Sequence, residues 1–287
     1  MSISVEKISA LYQQACEVEL QAFKPGNVSV YADGHDMTVD DFRVSAKVSA
    51  DALCNPNYTL GEKIYYAVKV TRETVGCNTN LGILLLCAPL IVALNSKSSV
   101  MSLREALAEV LENTTINDAD WVFKAIRLAS PGGLGSAEQA DVSEKPLINL
   151  TDAMHLASLR DRIALQFVTH YQDIFDFAVP IYYNAAKKWC KQDWSALAVF
   201  VSLLCRFPDS HVERKYGSQY NGMIKLKMTQ LSDELSKVER PELTLPLLHS
   251  IDSDFKSQGI NPGTMADLTV ATVFTVFLED TIQNSSS

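Results

Sequence analysis

Apolar residues recur at helical spacing along almost the whole chain. Ile8, Leu11, Tyr12, Ala15, Val18 and Ala22 predict a first helix to about Ala22. It ends at Phe23-Lys24-Pro25-Gly26-Asn27-Val28, a turn in which Pro fixes φ and Gly supplies positive φ. Thr38-Val39-Asp40-Asp41 and Thr59-Leu60-Gly61-Glu62 have capping-box spacing and open helices to about Leu53 and Val75. Ser102-Leu103-Arg104-Glu105 opens another, and Asn117 or Asp118 caps one that carries Trp121, Phe123 and Ile126. Further helices are expected at 151–168, 172–190, 194–206, 223–238 and 264–282, the last begun by the box Thr264-Met265-Ala266-Asp267. No run alternates for long with a period of two, and no Asn-Gly joins strand-like segments. The pattern predicts one all-α domain, residues 1–287, of roughly ten or more helices.

One helix stands at the centre of that expectation. Gly76-Cys77-Asn78-Thr79-Asn80-Leu81-Gly82 runs straight into Ile83-Leu84-Leu85-Leu86-Cys87-Ala88-Pro89-Leu90-Ile91-Val92-Ala93-Leu94, the most apolar segment of the chain. The run is shorter than the ~20 residues of a membrane span and Pro89 interrupts it, so a helix buried on all sides is expected. Asn78 or Thr79 is placed to cap it. A capped core helix accounts for these residues; so does an anion site, because a helix N-terminus offers free N–H groups and a positive dipole end.

Composition narrows the picture. Of 287 residues, 47% are hydrophobic, enough for a sizeable core, and mean hydropathy is near zero. A net charge of −9 argues against a nucleic-acid or anionic-membrane surface. A phosphorylated substrate would then need local cations or a divalent metal. Six cysteines form no CxxC pair and sit mostly among apolar residues, which suits reduced thiols and a cytoplasmic protein. The N-terminus reads as an amphipathic helix, not a signal peptide. Oligomeric state is not disclosed, and a homo-oligomer is compatible with the sequence.

Polar residues that a helical core leaves unexplained gather where loops meet helices. Lys24-Pro25-Gly26-Asn27 is followed by Asp33-Gly34-His35-Asp36-Met37; two surface turns explain both equally. Asn78-Thr79-Asn80 forms the next junction. Ser130-Pro131-Gly132-Gly133-Leu134-Gly135 could cradle phosphate on bare amides or simply link helices. Asp161 and Arg162 read as a solvated face. Pro208-Asp209-Ser210-His211-Val212-Glu213-Arg214-Lys215-Tyr216-Gly217 combines a carboxylate, an imidazole and cations, as either a nucleotide site or a basic helix C-terminus would. Asn261-Pro262-Gly263-Thr264-Met265-Ala266-Asp267 opens the last helix. No Walker loop, GxSxG, GxGxxG or His-x-x-x-His occurs.

In order, these junctions resemble the triphosphoribosyl-dephospho-CoA synthase family. The resemblance rests on Lys24-Pro25-Gly26, His35-Asp36-Met37, Phe42-Arg43-Val44-Ser45-Ala46, Asn78-Thr79-x-x-Gly82, Asp209 to Arg214 and Gly217, and Pro262-Gly263-Thr264-Met265-Ala266-Asp267-Leu268. It implies a reaction of ATP with 3′-dephospho-CoA, in which a ribose 2′-hydroxyl displaces adenine from C1′ of ATP. It also implies roles: Asp36 and Asp209 for Mg²⁺; Lys24, Arg214 and Lys215 for the triphosphate; Glu17, Asp267 or His211 as acid or base. Gly26, Asn27, His35, Asn78, Thr79, Asn80, Gly82, Gly132, Gly133, Asn261 and Gly263 are further expected contacts to the nucleotide. The chain departs from the family where Asn27-Val28-Ser29 replaces Leu-Val-Asp and Asn80-Leu81 replaces His-Lys. It looks like a divergent branch found beside tetrahydromethanopterin-linked one-carbon genes, so a different acceptor, or a binding protein without catalysis, is the alternative.

Overall fold

The computed structural model describes residues 3–32, 34, 37–98, 101–131 and 141–286. Among them the chain forms α1 (Val5–Gln21), α2 (Val39–Cys54), α3 (Leu60–Val75), α4 (Leu81–Ser96), α5 (Leu103–Glu112), α6 (Ile116–Ala129), α7 (Leu150–Ala157), α8 (Arg162–Val168), α9 (Val179–Trp189), α10 (Gln192–Arg206), α11 (Ser210–Tyr216), α12 (Asn221–Lys237), α13 (Leu245–Ser257) and α14 (Gly263–Ser286). No strand occurs among the described residues; two isolated bridges, Ser29 with Ala32 and Gly34 with Met37, pin the loop after α1. The all-α expectation holds.

Two helices share the centre. α4 is buried around its whole circumference, as its apolar run predicts. α14 lies against it and is nearly as buried, although it carries threonines. Thr269, Thr272 and Thr275 manage this by donating their hydroxyls to the carbonyls of Met265, Leu268 and Ala271 at 2.7, 2.7 and 2.8 Å, so none of these three hydroxyls is stranded in the core. α1, α2, α3, α5 and α10 pack around this pair. No helix among the described residues is long and apolar enough to cross a membrane.

The capping boxes at Thr38, Thr59 and Ser102 form as expected. Elsewhere local chemistry moves the ends. The cap of α6 is Thr115, whose box partner is Asp118; the other Asp118 oxygen takes the Gly61 N–H at 2.9 Å and ties α6 to α3. The helix expected at 151–168 is two, broken at 158–161, where Asp161 caps α8 through the N–H groups of Ile163 and Ala164. The stretch after Pro208 is the start of α11 rather than the end of an apolar helix. α13, which begins with Pro246 in its first turn, lay outside the expected set.

Candidate active site

The starts of α4, α8, α11 and α14 converge on a cavity of about 480 Å³. Its apolar wall comes from Phe123, Ile126, Leu150, Ala153 and Met154; its polar wall from Glu19, Asn27, Asn78, Thr79, Asp161, His211, Arg214, Asn261 and Asp267. A ligand with one apolar and one polar end suits such a space.

The polar wall is cross-braced. Asp209, almost fully buried, accepts the Val212 N–H at 3.0 Å through Oδ1 and the Met265 N–H at 2.9 Å through Oδ2, so one carboxylate caps α11 and docks the first turn of α14. Burial raises its pKa to about 6 against the pull of those N–H groups and of Arg214. The His211 N–H reaches Thr264 Oγ1 at 3.1 Å, and the Arg162 N–H reaches Ser210 Oγ at 2.9 Å. Since Thr264 and Met265 are engaged in this way, the box expected between Thr264 and Asp267 is not what orders α14, and Asp267 faces the cavity. Arg214 donates to Asp161 at 2.6 Å, joining α11 to α8 across the wall. Asp161, expected on a solvated face, therefore belongs to the cavity; Arg162 pairs with Asp173 at 2.9 Å.

Asp267 sits over the first turn of α4. An ideal Cβ on Gly82 would lie 2.1 Å from Asp267 Oδ2 and 2.7 Å from Ile163 Cδ1, so the carboxylate occupies the space a side chain would take. The N-cap position of α4 falls on Asn80, which makes no side-chain cap, rather than on the expected Asn78 or Thr79; Asn78 Oδ1 accepts the Leu81 N–H at 3.2 Å from outside the helix, while Thr79 turns to Ser45 at 2.5 Å. Burial, then the neighbouring charge of Glu19, pushes the Asp267 pKa well above the usual carboxylate range.

Glu19 is the buried carboxylate of the cavity wall that the sequence pattern left unnamed. It lies at i+7 from Tyr12 and i+4 from Ala15, on the apolar stripe of α1, and a carboxylate on such a stripe is the signal that identifies it. Its Oε1 meets Lys24 Nζ at 3.1 Å. Burial raises the Glu19 pKa and lowers that of Lys24, each opposing the other's shift.

The structure thus gathers Asn27, Asn78, Thr79, Gly82, His211, Arg214, Asn261, Gly263 and Asp267 at one cavity, and Asn27 Nδ2 donates to Asn261 Oδ1 at 2.7 Å across its edge. Other expected contacts lie elsewhere. Glu17, on the opposite face of α1, pairs with Arg43 at 2.8 Å near the surface. Lys24 is buried behind Glu19. Gly26, at φ +80°, donates its N–H to Asp252 at 2.8 Å; a Cβ there would come within 2.7 Å of the Ile260 carbonyl. Asn80 points into the core toward Ser49 and Thr71 at 3.4 and 3.2 Å. Asp209 is behind the wall, and Lys215 lies over Tyr216. His35, Asp36, Gly132 and Gly133 are outside the described residues.

An all-α chain that gathers helix starts and carboxylates around one cavity is the build of an enzyme acting on a small molecule. A family model described as ATP:dephospho-CoA triphosphoribosyl transferase matches residues 5–286. The chain belongs to that family and is a transferase of the triphosphoribosyl-dephospho-CoA synthase kind. Among solved structures it is similar to one titled "Crystal structure of putative triphosphoribosyl-dephospho-coA synthase from Archaeoglobus fulgidus", with 24% identity over 82% of this chain and 98% of that chain and a TM-score of 0.64, a likeness in fold. No curated protein matches the chain.

Proposed function

We propose that this cavity carries out the family reaction with Asp267 as general acid and Glu19 as general base. The acceptor hydroxyl oxygen bonds to C1′ of ATP, the C1′–N9 bond breaks, Asp267 gives its proton to departing adenine and Glu19 takes the hydroxyl proton. The observation that carries this division is the unequal company of the two carboxylates. Glu19 has a buried ammonium as counter-ion at 3.1 Å. Asp267 has Glu19, Asp209 and Asp161 as negative neighbours and only Arg214 in opposition, so of the two carboxyl groups Asp267 is the one that keeps a proton. The apolar wall excludes water from the ribosyl centre, which would otherwise be hydrolysed.

Mg²⁺ fits here as a companion of the triphosphate. No group of three His, Cys, Asp or Glu among the described residues is disposed to hold a metal ion, and both Asp209 oxygens already accept N–H groups. One cavity carboxylate with phosphate oxygens would be the protein's share. Such an ion would supply charge neutralisation for the triphosphate.

The cavity charge favours a second reading of the acceptor. With Asp267 protonated and Glu19 paired with Lys24, the wall sets Asp141 and Asp161 against Arg160 and Arg214, so no positive charge is in surplus for a polyphosphate acceptor. Residues 33, 35–36 and 132–140 contain no lysine or arginine to redress the balance. An acceptor less negative than dephospho-CoA, such as a pterin or aminobenzoate-type ribosyl compound, suits that wall better. Incubation with MgATP and dephospho-CoA, read by mass spectrometry, tests both: the triphosphoribosyl adduct with free adenine supports the first acceptor. Adenine only with the alternative acceptor supports the second. ADP or AMP as the nucleotide product rejects the reaction class.

A further inference from the structure

The Lys-Pro-Gly turn after α1 holds a lysine with no exposure at all. Lys24 Nζ donates to the carbonyls of Glu19, Ala22 and Val28 at 2.6, 3.2 and 3.1 Å and lies 3.1 Å from Glu19 Oε1. An ammonium has three N–H bonds, so these four oxygens leave none to offer a phosphate. No Lys24 atom lines the cavity, whereas Glu19 does. On its other side Glu19 borders a chamber of about 10 Å³ with Tyr12, Cys16 and Asn80, room for one water at most. Of these two spaces beside Glu19, the large cavity is the one that admits a substrate.

We propose that Lys24 is a positioning residue: it fixes the Glu19 carboxylate in the cavity wall and never touches substrate, so Glu19 is the group through which this turn acts. The inference rests on the reading above for what Glu19 does, but not for how it is held. The three carbonyls come from the last turn of α1 and the loop beyond it, so the ammonium also sets the backbone from which Glu19 projects. Removing Lys24 strands a buried carboxylate without a counter-ion, and such a group takes up a proton. K24M and E19Q are thus expected to fail in the same way. Arginine is no substitute, because a planar guanidinium cannot reach three carbonyls that surround a point charge.

The test compares K24M, E19Q and the double variant K24M/E19Q, which replaces the buried pair by neutral groups and so spares the fold an unpaired charge. The double variant is expected to match E19Q in adenine release and in calorimetric MgATP affinity, each within about threefold, because the two changes remove one interaction. An affinity weaker than that of E19Q by about tenfold or more would mean that Lys24 meets phosphate, and would overturn the proposal. A second measurement needs no substrate. The Glu19 δ-carbon resonance is expected to titrate at higher pH in K24M than in the wild type by about one unit or more. An unchanged midpoint overturns the positioning role even if the wild type transfers nothing, whereas a wild type inactive with every acceptor, with the midpoint shifted, sinks only the proposed function.

Discussion

Replacing Asp209 by alanine should cost stability far more than chemistry. The side chain joins α11 to α14 through the Val212 and Met265 N–H groups, both buried, and alanine leaves both without an acceptor. A stranded buried N–H costs about 1–3 kcal/mol, so with two of them D209A should lose about 2–6 kcal/mol in urea unfolding. The pH dependence is the sharper part. Burial lifts the folded pKa from 3.8 to about 6, so in that interval the folded protein keeps a proton that the unfolded chain releases. Stability from this group is therefore greatest below about pH 4 and declines as pH rises to about 6. The gap between wild type and D209A should shrink over the same window and then stay level. A gap that widens from pH 4 to 6 would show a carboxylate held ionised by its N–H partners, with a depressed pKa, and would refute the reasoning. A loss of adenine release per folded molecule beyond about a thousandfold, with little change in stability, would return Asp209 to the chemistry.

Three other outcomes follow from the same geometry. G82A places a Cβ within 2.1 Å of Asp267 Oδ2, so Asp267 must leave its seat; transfer should be abolished while overpacking costs about 1–3 kcal/mol in a melting experiment, and a fully active G82A would contradict that seat. Turnover should fall as pH rises through the elevated pKa of Asp267, because a general acid works protonated; a kcat that only rises with pH would argue against it. Thiol labelling of the native protein should be fastest at Cys190, which is exposed, and should spare Cys16, Cys54 and Cys87, whose burial raises their pKa values, to about 11 for Cys54; early modification of Cys16 would contradict the packing of α1.

The order of helices was legible because each start carries its own chemistry: Thr38, Thr59 and Ser102 announce boxes that form. The break at 158–161 was not, because Asp161 caps α8 inside a stretch whose apolar spacing continues across it. The site was half legible. Polar junctions far apart in sequence, Asn27, Asn78, His211 and Asn261 among them, do meet at one cavity. Which side of a wall each residue takes depends on packing that periodicity cannot supply. Asp209 and Lys24 are charged residues of the kind that bind nucleotides, yet buried backbone groups claim them. Glu19 is set apart from Glu17 only by its place on the apolar stripe of α1. Asn80 stands where the synthase pattern has His, and Leu81 where it has Lys; Asn80 turns into the core, so it does not restore a polar contact at the start of α4.

Adenine released from MgATP by D267N, measured beside MgATP binding to the same variant, tests the central claim most directly. If Asp267 protonates the leaving base, D267N should bind MgATP within a few-fold of the wild type and release adenine slower by about a hundredfold or more. Release at the wild-type rate with binding intact would show that another group supplies the proton and that this carboxylate pair is not the acid and base of the transfer.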